Sequence, residues 1–239
     1  MRKYAWLFLS IGLTFSLVGC GDSGSSGGSG GSGGGGTMVT VTGTVTAASI
    51  DNGVDPPVAD ATVSIVGTAN TATSDAEGNF SIMAPTGTVM FLTTADGNWG
   101  SLFAENVPGG GVAGLEVEVI PDALVGEVAA ALEATVDESK GLVAVVFDDT
   151  TTVGGESASI SANSELPFIF AADEPEEGDT LCGETDCGSE VLFLNTDVAA
   201  TVTATATNAS AQSCPLEFPG ASYSVQAKVL TEIDVLFCP

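Results

Sequence analysis

Histidine is absent from the 239 residues. That removes Ser-His-Asp triads, most zinc and copper sites, and the usual general base near neutral pH. Cations are almost as scarce, with Lys and Arg numbering 4 against 31 Asp and Glu. Arg2 and Lys3 stand at the amino terminus, which leaves only Lys140 and Lys228 for the rest. Nucleic acid and anionic lipid surfaces both require cationic patches, so no nucleic acid partner is expected. No Gly-x-Ser-x-Gly elbow occurs. "GGGVAG" (Gly109–Gly114) has the spacing of a dinucleotide fingerprint, but it follows Pro108 and leads into a strand-like run. No helix terminus is therefore there to face a phosphate. No carboxylate pair stands out for hydrolysis among the many acids. The expectation is a chain that is not an enzyme, with its negative charge serving solubility.

The amino-terminal twenty residues carry the most specific signal. "MRKYAWLFLSIGLTFSLVGC" has two cations, an apolar run from Ala5 to Val18, and small Gly19 before Cys20. This is the layout of a secretory signal, and the run is shorter than the roughly 20 residues of a membrane span. Leu17-Val18-Gly19-Cys20 resembles the lipobox of bacterial lipoproteins. The resemblance implies cleavage after residue 19, a diacylglycerol on the Cys20 thiol, and a membrane partner through that lipid. Asp directly after the lipid-bearing Cys favours inner-membrane retention in some bacteria. Here Gly21 is in that place, so the expected location is the cell envelope, on the periplasmic or surface face of the outer membrane. Residues 20–36 then form the lipidated cysteine and a tether of almost pure Gly and Ser. Such a tether stays flexible, with a root-mean-square reach of about 20–24 Å.

Five cysteines are present. With Cys20 reserved for lipid, Cys182, Cys187, Cys214 and Cys238 remain, an even number suited to two disulfides in an exported chain. Three pairings exist. Cys182–Cys187 with Cys214–Cys238 closes two local loops and is the preferred one.

From Thr37 the pattern becomes period two. In "MVTVTGTVTA", Val39, Val41 and Val45 share a face, with Gly43 between them. "ATVSIVG", "NFSIM", "TVMFLTTA" and "GLEVEVI" are further strand candidates, short, β-branched and bounded by turn residues. Asp75 and Gly78 in "SDAEGNF" suit a tight turn, with the Asp side chain accepting from amides ahead and Gly supplying positive φ. Gly43-Thr44-Val45, Pro57, Asp60-Ala61-Thr62-Val63, Ser74-Asp75-Ala76-Glu77-Gly78-Asn79-Phe80 and Pro85-Thr86-Gly87 occur in order. In this, residues 37–96 resemble the carboxypeptidase regulatory-like, transthyretin-like β-sandwich. The resemblance implies fold and says almost nothing about function.

"PDALVGEVAAALEATV" (Pro121–Val136) changes period, with Leu124, Val128, Leu132 and Val136 recurring every four residues. It reads as one helix, N-capped by Asp122 and packed on a sheet between the halves. Strand candidates resume with "GLVAVVFDD", "ESASIS", "PFIFAA", "EVLFLN", "VAATVTATAT", "YSVQAKVL" and "EIDVLFC". Gly188–Thr207 aligns with Gly78–Ala95, which suggests two diverged copies of one sandwich. The expected fold is all-β, with antiparallel transthyretin-like or Ig-like β-sandwiches in tandem and one short helix between them. The divisions are a signal at 1–19, the lipidated tether at 20–36, a sandwich at 37–120, a helical connector at 121–139, and a second sandwich with an acidic disulfide loop at 140–239.

Two candidate binding features follow. Ala171–Glu190 interrupts the strand pattern like an acidic insertion loop, and Asp173, Glu174, Glu176, Glu177, Asp179 and Asp186 could ligate Ca2+, which takes six to eight oxygens. The plainer reading is a solvated acidic loop. Trp99 in "DGNWGSLF" could stack on a sugar or cap the core. The leading functional expectation is a non-enzymatic, envelope-anchored lipoprotein whose β-sandwiches are structural or hold an envelope protein or glycan. The rival is a calcium- or carbohydrate-binding accessory module of an export, uptake or degradation assembly.

Overall fold

The computed structural model describes residues 37–49, 55–147, 154–171, 174–182 and 189–236. They form an all-β architecture with one short helix. The first unit holds seven strands: β1 (Met38–Ala47), β2 (Thr62–Ile65), β3 (Thr71–Thr73), β4 (Asn79–Pro85), β5 (Gly87–Thr94), β6 (Asn98–Val107) and β7 (Val112–Pro121). Helix α1 (Asp122–Ala131) follows. The second unit holds β8 (Gly141–Phe147), β9 (Ser157–Ile160), β10 (Leu166–Ala171), β11 (Glu174–Glu177), β12 (Glu190–Thr196), β13 (Ala204–Thr207), β14 (Ser213–Cys214) and β15 (Val229–Val235).

In the first unit one layer runs β3-β2-β5-β6 and the other runs β4-β1-β7. Strict alternation sends Val41, Val45, Phe80, Ile82, Val117 and Val119 inward from one layer, against Val63, Ile65, Val89, Phe91 and Phe103 from the other. The rings of Phe91 and Phe103 stack with centroids 5.6 Å apart. Gly43 makes this packing possible, because a Cβ there would lie 2.1 Å from the Leu115 carbonyl oxygen and 2.7 Å from the Phe80 ring. The β1–β7 register shifts between Thr42 and Gly43, at this point of closest approach. The turn before β4 closes as its residues dictate. Asp75 Oδ1 accepts from the Glu77 and Asn79 amides at 3.1 and 2.8 Å, and Gly78 takes φ +79°. The Asn79 amide is the main cause of the lowered Asp75 pKa.

The second unit repeats the core pairing of the first, without a counterpart to β3. β1 pairs antiparallel with β4 and parallel with β7. β8 pairs antiparallel with β12 and parallel with β15. The opposing layers match too, β2-β5-β6 against β9-β13-β14. The expected antiparallel sandwich is therefore corrected to a mixed one, since the first and last strand of each unit run parallel. A parallel pair needs a long crossover, and here the crossover is the remainder of the sandwich. Between β9 and β12 the second unit carries β10 and β11, which widen its large layer.

The units are not separate beads. β15 pairs parallel with β6 through Val229↔Gly100, Leu230↔Ser101 and Thr231↔Leu102, so one layer of each unit merges into a single long sheet. Its second-unit part is covered on both faces. The β9-β13-β14 layer covers one face over Val145, Val191, Phe193 and Ile233. On the other face α1 sets Leu124, Val125, Val128 and Ala129 against Leu142, Phe168, Leu192 and Leu230. The helix is shorter than its sequence pattern and is not capped by Asp122. Pro121 occupies the N-cap position without a side-chain bond, and the Asp122 carboxylate instead accepts from Lys228 Nζ at 2.8 Å. Glu133 ends the helix at φ 54°, with the Ala134 amide donating back to the Ala129 carbonyl at 2.8 Å. A further difference lies in "YSVQAKVL", where the strand starts only at Val229 and Val225 makes an isolated bridge to Ala199.

Substituting Gly43→Ala is expected to destabilise the fold by about 2–4 kcal/mol in denaturant titration, because the clash is with backbone and a core ring. A small apolar cavity of about 20 Å³ lies under the helix, lined by residues that include Val125, Val128, Leu142 and Phe168. Val125→Ile should fill part of it and raise the denaturation midpoint, by less than about 1 kcal/mol.

Candidate functional site

The acidic segment is not a free loop. Glu174–Glu177 forms β11, an edge strand paired with β10 through Ile169↔Glu176 and Phe168↔Glu177. Adjacent strand residues point to opposite faces, so Glu176 and Glu177 diverge, while Pro175 is buried and all three glutamates are exposed. Asp179 accepts from the Thr180 hydroxyl at 3.0 Å. Asp173 and Asp186 lie outside the described residues. The described part of the expected calcium site, Glu174, Glu176, Glu177 and Asp179, is thus spread along a strand and the residues after it. Among the described residues no group of three or more His, Cys, Asp or Glu is placed to hold a metal ion. An acidic edge does serve another end, since charge on an edge strand discourages pairing with a second chain.

Trp99 does not face solvent either. It is 1% exposed and packs in the third core with Ile120, Leu142 and Leu230. A sugar cannot stack on it, which corrects the ligand reading and leaves the core reading. "GGGVAG" forms the β6–β7 connection and enters β7, with no helix following the glycines. Cys214 is buried in the second core and Cys182 packs against it. Cys20, Cys187 and Cys238 lie outside the described residues. Among those residues no helix is long and apolar enough to cross a membrane.

Both lysines among the described residues are engaged in the joint between elements. Lys228 Nζ lies 2.8 Å from Asp122 and 3.7 Å from Glu138, and Lys140 Nζ lies 2.9 Å from Glu165 and 3.3 Å from Asp197. Asn195, 1% exposed and at φ 50°, uses its whole amide nearby. Its oxygen accepts from the Asp137 amide at 2.9 Å, and its nitrogen donates to the Thr135 carbonyl at 2.7 Å and Glu165 at 2.8 Å. These bonds pin the connector that follows the helix to β12.

The feature that composition concealed is a group of inward glutamates. Glu190 on β12 is 3% exposed and Glu232 on β15 is 8% exposed. Glu118, half-buried on β7, is hydrogen-bonded to the Asp55 side chain. Each stands two residues from an apolar member of the third core on its own strand: Ile120, Leu192 and Leu230. Alternation places each acid on the same face as that neighbour, so the three form a carboxyl end to an otherwise apolar cluster. Burial pushes Glu118 up to about 9, helped by the negative charges of Asp55, Glu232 and Glu116. Burial pushes Glu232 up to about 8, with Asp234 adding to it. Glu190 is raised well above the usual range by burial and by Glu232 and Glu118. Sequence alternation reads Glu118 and Glu232 as solvent-facing. The available signal was that β8 and β12 are apolar on both faces, which points to cover over Glu190 and Glu232 in that sheet, whereas Glu118 on β7 carries no such signal.

No protein-family model matches the chain, and no curated protein matches it. Similar solved structures include the Bacillus anthracis TIE protein, at 13% identity and TM-score 0.28 over 84% of this chain and 34% of that one. The chain thus spans about a third of that protein's length. The shaft pilin SpaA from Lactobacillus rhamnosus GG is similar at 13% identity and TM-score 0.25, over 85% of this chain and 99% of that one. A DUF3823 family protein from Parabacteroides merdae is similar at 10% identity and TM-score 0.27, over 84% of this chain and all of that one.

Trp99→Ala should destabilise the protein by about 3–5 kcal/mol in chemical denaturation, as expected for emptying a core site of this size. Soluble oligosaccharides should leave the tryptophan emission of the unsubstituted protein unchanged.

Proposed function

We propose that the chain is a lipid-anchored, non-enzymatic module of a bacterial cell envelope, with a structural role in displaying its paired β-sandwiches. The observation that carries this reading is the junction at the start of the fold. A lipobox-like Leu17-Val18-Gly19-Cys20 and a Gly/Ser tract run directly up to β1, which opens at Met38. Lipid on Cys20 would hold the chain to the outer membrane, and the tether would let the sandwiches clear the headgroups and reorient. The carboxypeptidase regulatory-like assignment for residues 37–120 draws support from the Asp75–Gly78 turn and from the sandwich of β1–β7. The proposed disulfide pairing is Cys182–Cys187 with Cys214–Cys238. Both Cys182 and Cys214 are disulfide-bonded, in keeping with two bridges, and the choice of pairing rests on the two local loops it closes.

The structural role is preferred over the calcium- or carbohydrate-binding one. Trp99 is sealed and the β11 carboxylates diverge, so neither ligand class has a converging surface among the described residues. A partner, if bound, would be an envelope protein or glycan that tolerates strong negative charge.

Expression in a bacterium fed an alkyne analogue of palmitate should label the unsubstituted chain and place it in the membrane fraction. Cys20→Ala should abolish both. Label retained by Cys20→Ala would overturn the anchor, and metabolic or hydrolytic activity of the purified protein would overturn the non-enzymatic role.

A further inference from the structure

The first and second units meet at a seam where one end is apolar and the other is carboxylic. Glu118 approaches it from the first unit, on β7. Glu190 and Glu232 approach it from the second, on β12 and β15. We propose that this seam is a proton-loaded latch: with the three glutamates neutral the end of β7 lies closed against the second unit's part of the long sheet, and their ionisation opens that seam while leaving the first sandwich intact.

Placement carries the argument. The three acids extend the covered face formed by Ile120, Leu192 and Leu230, with Glu190 and Glu232 enclosed and Glu118 half-covered where the units pack. Glu190 Oε2 is buried and has no hydrogen-bond partner. Among the described residues, every charged group that acts on the cluster is itself an acid. Asp55, Glu116 and Glu232 face Glu118, Glu232 and Glu118 face Glu190, and Asp234 faces Glu232. Lys140 and Lys228 are held by Glu165, Asp197, Asp122 and Glu138. Charging these covered acids, with no cation among the described residues placed to answer them, is strongly unfavourable. The repulsion acts across the seam, whereas the buried residues of the first sandwich, Ser74 and Thr93 included, hold no titratable side chain among the described residues.

The direction with pH follows. These carboxyls have folded-state values above the ordinary 4.5, so the folded chain holds more protons than the unfolded chain in the interval above it. Stability is therefore full below 4.5 and falls as pH rises towards about 8 for Glu232 and about 9 for Glu118. This is the reverse of Asp75, whose lowered value contributes stability that is lost on acidification.

Trp99 lies in the seam and reports on it. The full chain carrying Trp6→Phe leaves Trp99 as the only tryptophan. Between about pH 5 and pH 9.5 its emission should shift to the red and become open to acrylamide, with a fall in Tm of roughly 5–10 °C. Hydrogen exchange corrected for intrinsic rate should show lost protection in β15 and retained protection in β4 and β5. The triple variant Glu118→Gln, Glu190→Gln, Glu232→Gln should flatten the profile. The exposed triple Glu127→Gln, Glu174→Gln, Glu177→Gln removes the same charge and should leave it in place. The single Glu190→Gln serves if the buried triple does not fold, and should reduce the shift. The proposal is overturned if Trp99 stays sealed to pH 9.5. It also fails if protection is lost uniformly, or if the exposed triple flattens the profile as well as the buried variants do.

Discussion

Three rungs between β15 and β6 hold the two units in one body. Without Val229↔Gly100, Leu230↔Ser101 and Thr231↔Leu102 there would be two small sandwiches, each with an open sheet edge. With them, one sheet runs through both units and presents a face wide enough for the helix, Trp99 and the end of β7 to cover. The local geometry explains why the join falls where it does. A Cβ at Gly100 would lie 2.2 Å from the Thr93 carbonyl oxygen, so only glycine permits β6 to pass so close to β5 at that point. Lys228 completes the corner, its carbonyl accepting from the Gly100 amide at 3.0 Å and its ammonium bound to the first turn of the helix.

Much of the first unit was legible because its strands have one buried and one open face. Val39, Val41 and Val45 alternate with threonines, and Asp75 and Gly78 can hardly do anything but turn. The central strand β6 was missed for the opposite reason. Residues 99–104 are buried throughout, so alternation vanishes, and Gly100-Ser101 looks like a turn. Trp99 was recognised as notable, but its burial depends on a face created by a strand from the far end of the second unit.

The second unit was legible as a copy and less so in detail. The alignment of Gly188–Thr207 with Gly78–Ala95 has a structural counterpart, since β12 and β13 lie in opposing layers as β4 and β5 do. What propensity could not give was β11. "EPEE" is poor strand material, and it becomes a strand because β10 offers an unpaired edge beside it. The inward glutamates were illegible for a related reason: whether an acid on a strand meets water depends on what a distant part of the chain lays over it.

The parallel pairing of each unit's first and last strands has a consequence for how the protein comes to be folded. A chain made amino terminus first presents β6 and β8 long before β15. Those strands then wait with unpaired edges, and the second sandwich and the common sheet close together in one late, non-local step. Such high-contact-order closure is slow. The first sandwich, whose strands are all present by Pro121, can form earlier and serve as the template on which the rest is assembled.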